Sequence, residues 1–218
     1  MGFHSDPAAT PLGDHPLLWR GRQAPGRTGA LGTGLARLDA ALPGHGWPQG
    51  AITEIIHATA GYGELSLLLP ALAGLGQEGR WVTMVDPPWI PCPAALHGRG
   101  LPLEKLLLVK TKNRRESLWA CEQVVRGLPG GALLAWPQQP SFGELRRLQL
   151  AAADTRHSVF LFRDESAAAA PSPAALRLRL APGDDELQLS VLKCRGQRPP
   201  TDIRIRHSRI QNLNIPAA

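Results

Sequence analysis

The residues with most to say about chemistry lie between Gly50 and Gln77, in the run GAITEIIHATAGYGELSLLLPALAGLGQ. Thr53 to His57 reads as a buried strand, Gly61 and Gly63 punctuate a turn, and an almost wholly apolar helix starts near Glu64. Strand, glycine turn and helix in that order is how a phosphate-binding loop is built, with backbone N–H groups and a helix N-terminus converging on an anion. Such a loop needs a lysine and then a serine or threonine straight after its last glycine, to hold the terminal phosphates and magnesium. Glu64 and Leu65 stand there instead. A carboxylate in the first turn is favoured by the same dipole that would have drawn a phosphate. Glu64 therefore either takes the anion's place and repels nucleotide, or simply opens an ordinary helix after an ordinary turn.

Other chemistry is sparse. Cys92, Cys121 and Cys194 lie far apart with no CxxC spacing, which argues against a zinc site or a disulfide framework and fits a reducing, cytoplasmic setting. The seven histidines form no HExxH pair, so neither a metal nor a cofactor is expected. The chain has 218 residues, 43% of them hydrophobic, enough for one domain with an ordinary core. Its first residues, MGFHSDPAAT, lack the apolar centre of a signal peptide, and no run is long enough to span a membrane. The net charge of +6 is uneven. Lys and Arg outnumber Asp and Glu by 8 to 4 after residue 170, against 12 to 11 over residues 51–170.

The elements that must position these residues follow from periodicity. Residues 1–31 are rich in Gly, Pro and Ala and read as a flexible arm whose apolar island, Leu17, Leu18 and Trp19, docks on its own domain or on a partner. Leu35 to Leu42 predicts a short helix with Leu35, Leu38 and Leu42 on one face, stopped at Pro43 and Gly44. The helix from Glu64 to Gln77 is apolar nearly all round and must be buried on a sheet, with Pro70 kinking it. Strands are predicted at Trp81 to Val85, Leu106 to Val109, Gly131 to Trp136 and Val159 to Phe162. Asn113 with Glu116, and Ser141 with Glu144, have capping-box spacing and predict helices to Leu128 and Asp154. The second should turn Leu145, Leu148 and Ala152 inward and Arg146, Arg147 and Gln149 outward. Lys110, Lys112, Arg114 and Arg115 between strand and helix form either a phosphate site or a solvated turn.

The last segment alternates as a small antiparallel sheet: Leu176 to Leu180, Leu187 to Leu192 and Ile203 to Arg206. Lys193, Arg195, Arg198, Arg204 and Arg206 make it basic, as a surface for DNA or a partner or as a plain solvated edge. Residues 207–218 form a tail whose Ile210 and Leu213 suit a partner's groove.

The run GTGLARLDAALPGHGWPQGAITEI, from Gly32 to Ile55, resembles the entry to the ATPase core of RecA. With GELSLLLPAL, LRRLQLAA, SPAALRLRL and VLKCRG, the chain is most similar to the ImuA family of RecA-like, SulA-related proteins. The resemblance covers roughly Leu17 to Arg206. It implies a RecA-like three-layer α/β domain over residues 32–206, with a mostly parallel central sheet and C-terminal antiparallel strands. It also implies that Pro88 stands where RecA has its water-activating glutamate and Trp136 where it has its magnesium-orienting aspartate. With Glu64 and Leu65 this empties the nucleotide site, so no enzyme activity is expected.

As an ImuA-like protein the chain would be a non-catalytic adaptor in error-prone translesion synthesis. Its implied partners are an ImuB-type polymerase homologue and, through it, a DnaE-type polymerase and the sliding clamp, with RecA or DNA as further candidates. The alternative is a SulA-like cell-division inhibitor that binds FtsZ.

Overall fold

The computed structural model describes residues 29–42, 44–58, 63–183, 186–196 and 202–206. Its centre is an eight-stranded sheet, flanked by helices on both faces. In chain order the described elements are β1 (Ala30–Leu31), α1 (Ala36–Ala41), β2 (Trp47–Pro48), β3 (Ala51–His57), α2 (Glu64–Gln77), β4 (Val82–Val85), α3 (Pro93–His97) and β5 (Leu106–Val109). There follow α4 (Arg114–Gly127), β6 (Ala132–Ala135), α5 (Phe142–Thr155), β7 (Ser158–Asp164), β8 (Leu176–Pro182), β9 (Glu186–Cys194) and β10 (Ile203–Arg206). The sheet runs β10-β9-β8-β3-β7-β6-β4-β5. From β5 to β8 neighbouring strands are parallel, and β9 and β10 add on antiparallel. The fold is thus mixed α/β, with a mostly parallel sheet and antiparallel strands at one side.

The C-terminal strands do not form a sheet of their own, as the alternation suggested. Leu176 lies beside Thr53 and Leu180 beside His57, so β8 continues the main sheet. A second small sheet pairs Ala30 with Pro48 and Leu31 with Trp47, which places the last two residues of the expected arm in a strand.

Period-two alternation in the strands divides the core between the two faces. On one side Ile55, Met84, Leu134 and Phe160 meet Leu67, Leu68 and Leu72 of α2, and Leu38 of α1. On the other, Val85, Leu133, Val159 and Leu161 meet Cys121 and Val125 of α4 and Leu145 and Leu148 of α5. Each fully buried leucine stabilises the fold by about 1.5–3 kcal/mol, which is why α2 tolerates Pro70 within it. The caps behave as their spacing predicts for α5, where Ser141 and Glu144 bond each other's backbone. At α4, Asn113 accepts from Glu116 N, while the Glu116 carboxylate reaches back to Lys112 N instead of to Asn113 N. No helix among the described residues is long and apolar enough to cross a membrane.

Candidate functional site

The helix α2 starts where the glycine turn ends. Gly63 caps it at φ +99°, a conformation costly for any residue with a Cβ, and its carbonyl accepts from Leu67 N. Glu64 is buried beside this end and Leu65 packs against the core, so an acid and a hydrocarbon directly follow Gly63. Gly61 lies outside the described residues.

The carboxyl ends of β4, β5 and β6, where open parallel sheets gather ligands, border a cleft of ≈ 420 Å³ lined by Asp86, Pro88, Lys110, Lys112, Arg114 and Trp136 among others. Asp86, at φ +52°, accepts from Thr111 N at 2.8 Å and Thr111 Oγ1 at 2.6 Å. Burial alone would raise its carboxyl. Hydrogen bonds from Thr111 and Ser117, with the charge of Lys110, outweigh burial and hold it below the ordinary carboxylate range. Asp86 therefore ties the end of β4 to the loop after β5. Pro88 is exposed on the next turn and has no proton to move. Trp136 lies flat on Phe162, with ring centroids 4.5 Å apart and planes 9° apart, and His57 tilts against the other ring at 6.4 Å. These three rings form an aromatic row across the ends of β6, β7 and β3.

The basic turn is partly committed. Arg114 donates to the carbonyls of Gln138 and Gln139 at 2.9 and 3.2 Å and to Glu144 at 2.5 Å, which braces the loop before α5. Lys110, Lys112 and Arg115 are exposed.

The C-terminal strip divides in two. Lys193 Nζ donates to Ser172 O at 2.6 Å and Arg195 Nη2 to Pro173 O at 3.1 Å, so both hold the segment before β8. Burial, then the charges of Arg195 and Arg177, lowers the Lys193 ammonium. Arg204 and Arg206 point away from the sheet on β10, with Arg204 3.3 Å from Glu186. Trp19, Arg198, Ile210 and Leu213 lie outside the described residues.

Two features escaped the sequence reading. Glu54, on β3, is fully buried and accepts from Arg163 of β7 at 3.0 Å and Arg177 of β8 at 2.6 Å. Arg177 also donates to the carbonyls of Ala167 and Ala168. Burial lowers the Arg163 guanidinium, while Glu54 and Asp164 oppose that shift. The available signal was a single carboxylate inside an apolar strand, a residue type almost never fully buried without a partner. Gln149 is the second. It was expected to face solvent, yet it is buried, accepting from Ile52 N at 2.9 Å and donating to Gly50 O at 3.2 Å. Its amide satisfies both ends of the backbone where β3 begins.

These elements define a mixed α/β domain with a mostly parallel central sheet, in which Glu64 and Leu65 follow Gly63 at the start of α2. A family described as cell division inhibitor SulA matches residues 50–158, from the turn before β3 to the first residue of β7. The cell division inhibitor SulA of Edwardsiella piscicida is 32% identical over 122 residues, covering 52% of this chain and 73% of that protein. That of Photorhabdus laumondii subsp. laumondii is 32% identical over 114 residues, covering 51% and 63%, and that of Yersinia enterocolitica 27% over 104 residues, covering 48% and 62%. The chain belongs to the SulA family.

This corrects the expected function. The relatives are division inhibitors, which overturns the translesion adaptor and its implied partners: ImuB, the DnaE-type polymerase, the sliding clamp, RecA and DNA. The motifs behind that expectation lie largely on core elements: α1, β3, α2, α5, β8 and β9. Such residues are selected by packing, and packing is common to proteins with different partners.

Proposed function

We propose that this protein is a non-catalytic inhibitor of bacterial cell division that acts in the cytosol by binding FtsZ, as part of the response to DNA damage. The observation that carries this reading is the family match across residues 50–158, which contains the loop, Pro88 and Trp136. A RecA-like core over residues 32–206 is the finer fold assignment. The buried first strand, the glycine turn and the apolar helix α2 support it. The likeness to ImuA is a finer placement within the SulA-related proteins, resting partly on segments after residue 158, and it brings no partner with it. Lost nucleotide chemistry is favoured by Glu64, Leu65, Pro88 and Trp136, since no single substitution among them would restore a lysine, a hydroxyl and two carboxylates together. Of the basic strip, Arg204 and Arg206 are the part open to a protein partner, because Lys193 and Arg195 are engaged with carbonyls.

Expression of the full chain in a rod-shaped bacterium should produce filaments, and the purified chain should reduce the amount of FtsZ polymer recovered by sedimentation. Normal division with undiminished polymer would overturn the reading. Calorimetry with ATP and magnesium should show no binding, and micromolar affinity would sink the claim of lost nucleotide chemistry while leaving the inhibitor reading to the first test.

A further inference from the structure

Trp89 and Ile90 are the most exposed large apolar side chains among the described residues, at 75% and 88%, and they are neighbours in the chain. They belong to the connection from β4 into α3, where residues 87–96 carry no charge and only Leu96 is buried. Both ends of this connection are anchored. Asp86 N donates to Val109 O at 2.9 Å, the Asp86 carboxylate accepts from Thr111, and Leu96 sits in the core. Between the anchors Pro87, Pro88, Pro91 and Pro93 each fix φ, so the apolar tip is held out in water by a stiff frame. A contiguous exposed apolar patch of this kind marks a surface that something covers.

The surroundings define the chemistry of the cover. Lys110 and Lys112, both exposed, line one cleft with Pro87 and Pro88 at the root of the loop. Asp86 is the one acid lining that cleft, and its carboxylate is turned to Thr111. Apolar groups at the tip with cations at the root match the order in which a bilayer surface offers hydrocarbon and then headgroup phosphates. We propose that residues 87–96 seat this protein on an anionic phospholipid surface, Trp89 and Ile90 entering the interface while Lys110 and Lys112 meet lipid phosphates.

Three features favour lipid over a pocket on another protein. Proline has no backbone N–H, so Pro87, Pro88, Pro91 and Pro93 leave no donor stranded when the loop loses its water. A tip this exposed projects from the surface, and a fluid interface receives it without a cavity of matching shape. Tryptophan suits that depth, with an apolar ring body and one polar N–H, and the lysine stems let their ammonium groups stay wet beside the phosphates. The cations at the other side of the sheet lack such company: Arg204 and Arg206 on β10 alternate with Ile203 and Ile205, which are buried. The protein would lie on the bilayer, since no helix among the described residues is long and apolar enough to cross it.

Co-sedimentation of the full chain with vesicles tests the seating without reference to FtsZ. The chain should bind vesicles of mixed phosphatidylglycerol and phosphatidylcholine, bind pure phosphatidylcholine weakly, and release the mixed vesicles as salt is raised. Trp89→Ala combined with Ile90→Ala should weaken binding by roughly tenfold or more, with unchanged circular dichroism because both side chains are exposed. Lys110→Gln and Lys112→Gln should each weaken it roughly fivefold, whereas Arg204→Gln and Arg206→Gln should leave it unchanged. Brominated lipid should quench the tryptophan emission of the wild-type chain but much less that of Trp89→Phe, which should still sediment with the vesicles. Failure to bind the anionic vesicles, or binding that survives loss of both Trp89 and Ile90, would overturn the proposal. So would equal losses from the β10 arginines, which would mean general attraction of a basic protein, or undiminished quenching in Trp89→Phe, which would place another face on the lipid.

Discussion

Arginine meets glutamate in two places in this molecule, with opposite consequences. Between β3, β7 and β8, one fully buried carboxylate holds two guanidinium groups, and neither arginine is more than a tenth exposed. On β10, Arg204 lies 3.3 Å from Glu186 with its side chain 65% exposed. Water screens the second pair, so it contributes little, whereas removing one partner of the first leaves charges in a medium that cannot solvate them. The same residue types therefore mark a structural necessity in one place and an available surface in the other. Counting cations along the chain does not separate the two.

The sharpest way to break the contrast is Glu54→Gln, which strands Arg163 and Arg177 and should destabilise the protein by about 3–5 kcal/mol in a denaturant titration. Replacing Glu54, Arg163 and Arg177 together with apolar residues should recover only part of that, because the Ala167 and Ala168 carbonyls would still lose their donor. A loss under 1 kcal/mol for Glu54→Gln would mean that the buried cluster behaves like the exposed pair.

His157 carries the contrast to a buried group with no counter-charge. It is fully buried, with Nδ1 2.8 Å from Leu128 O, and burial pushes its imidazole down from 6.5 to about 4 despite that carbonyl. Between those values the unfolded chain binds a proton that the folded chain does not. Stability should therefore fall by about 3 kcal/mol as the pH drops from 6.5 to 4. His157→Asn should flatten that part of the profile, and an unchanged slope would show that another group titrates there.

Asp86 lies between the extremes, half-buried and hydrogen-bonded by Thr111. Because its carboxyl is held low, its contribution is present above the ordinary aspartate range and is lost as the pH falls through the folded value. Asp86→Asn keeps a residue that tolerates the positive φ while removing the charge, and should cost about 1 kcal/mol. The smallest effect belongs to Arg204→Ala, expected within about 0.5 kcal/mol of wild type. If Arg204 helps to bind FtsZ, the same variant should weaken capture of FtsZ by the immobilised chain, which separates surface function from stability.

What the sequence determined by itself is the longer helices, the parallel strands and the residue types that follow Gly63. Apolar periodicity located α2 from Glu64 to Gln77 because a helix buried on a sheet must be apolar all round. Capping chemistry located α5, since Ser141 and Glu144 satisfy the orphan N–H groups of its first turn within four residues of one another. Such signals are local, so they survive in a linear reading. The absence of lysine and hydroxyl after Gly63 was equally legible, because that loop's chemistry depends on residue type at fixed spacing. Partner identity was not, since strand, loop and helix are kept by packing whichever protein the surface meets.

Tertiary structure alone decided which charges are spent and which are open. Glu54 lies 109 and 123 residues from its two arginines, and Gln149 lies 97 residues from the backbone amide it caps. No periodicity within a window of a dozen residues encodes pairings of that span. It also decided that the leucines of β5 lie at an edge. A run of four apolar residues reads the same in a central strand and in an outer one, and only the order of strands tells whether its second row of peptide groups meets a neighbour or water.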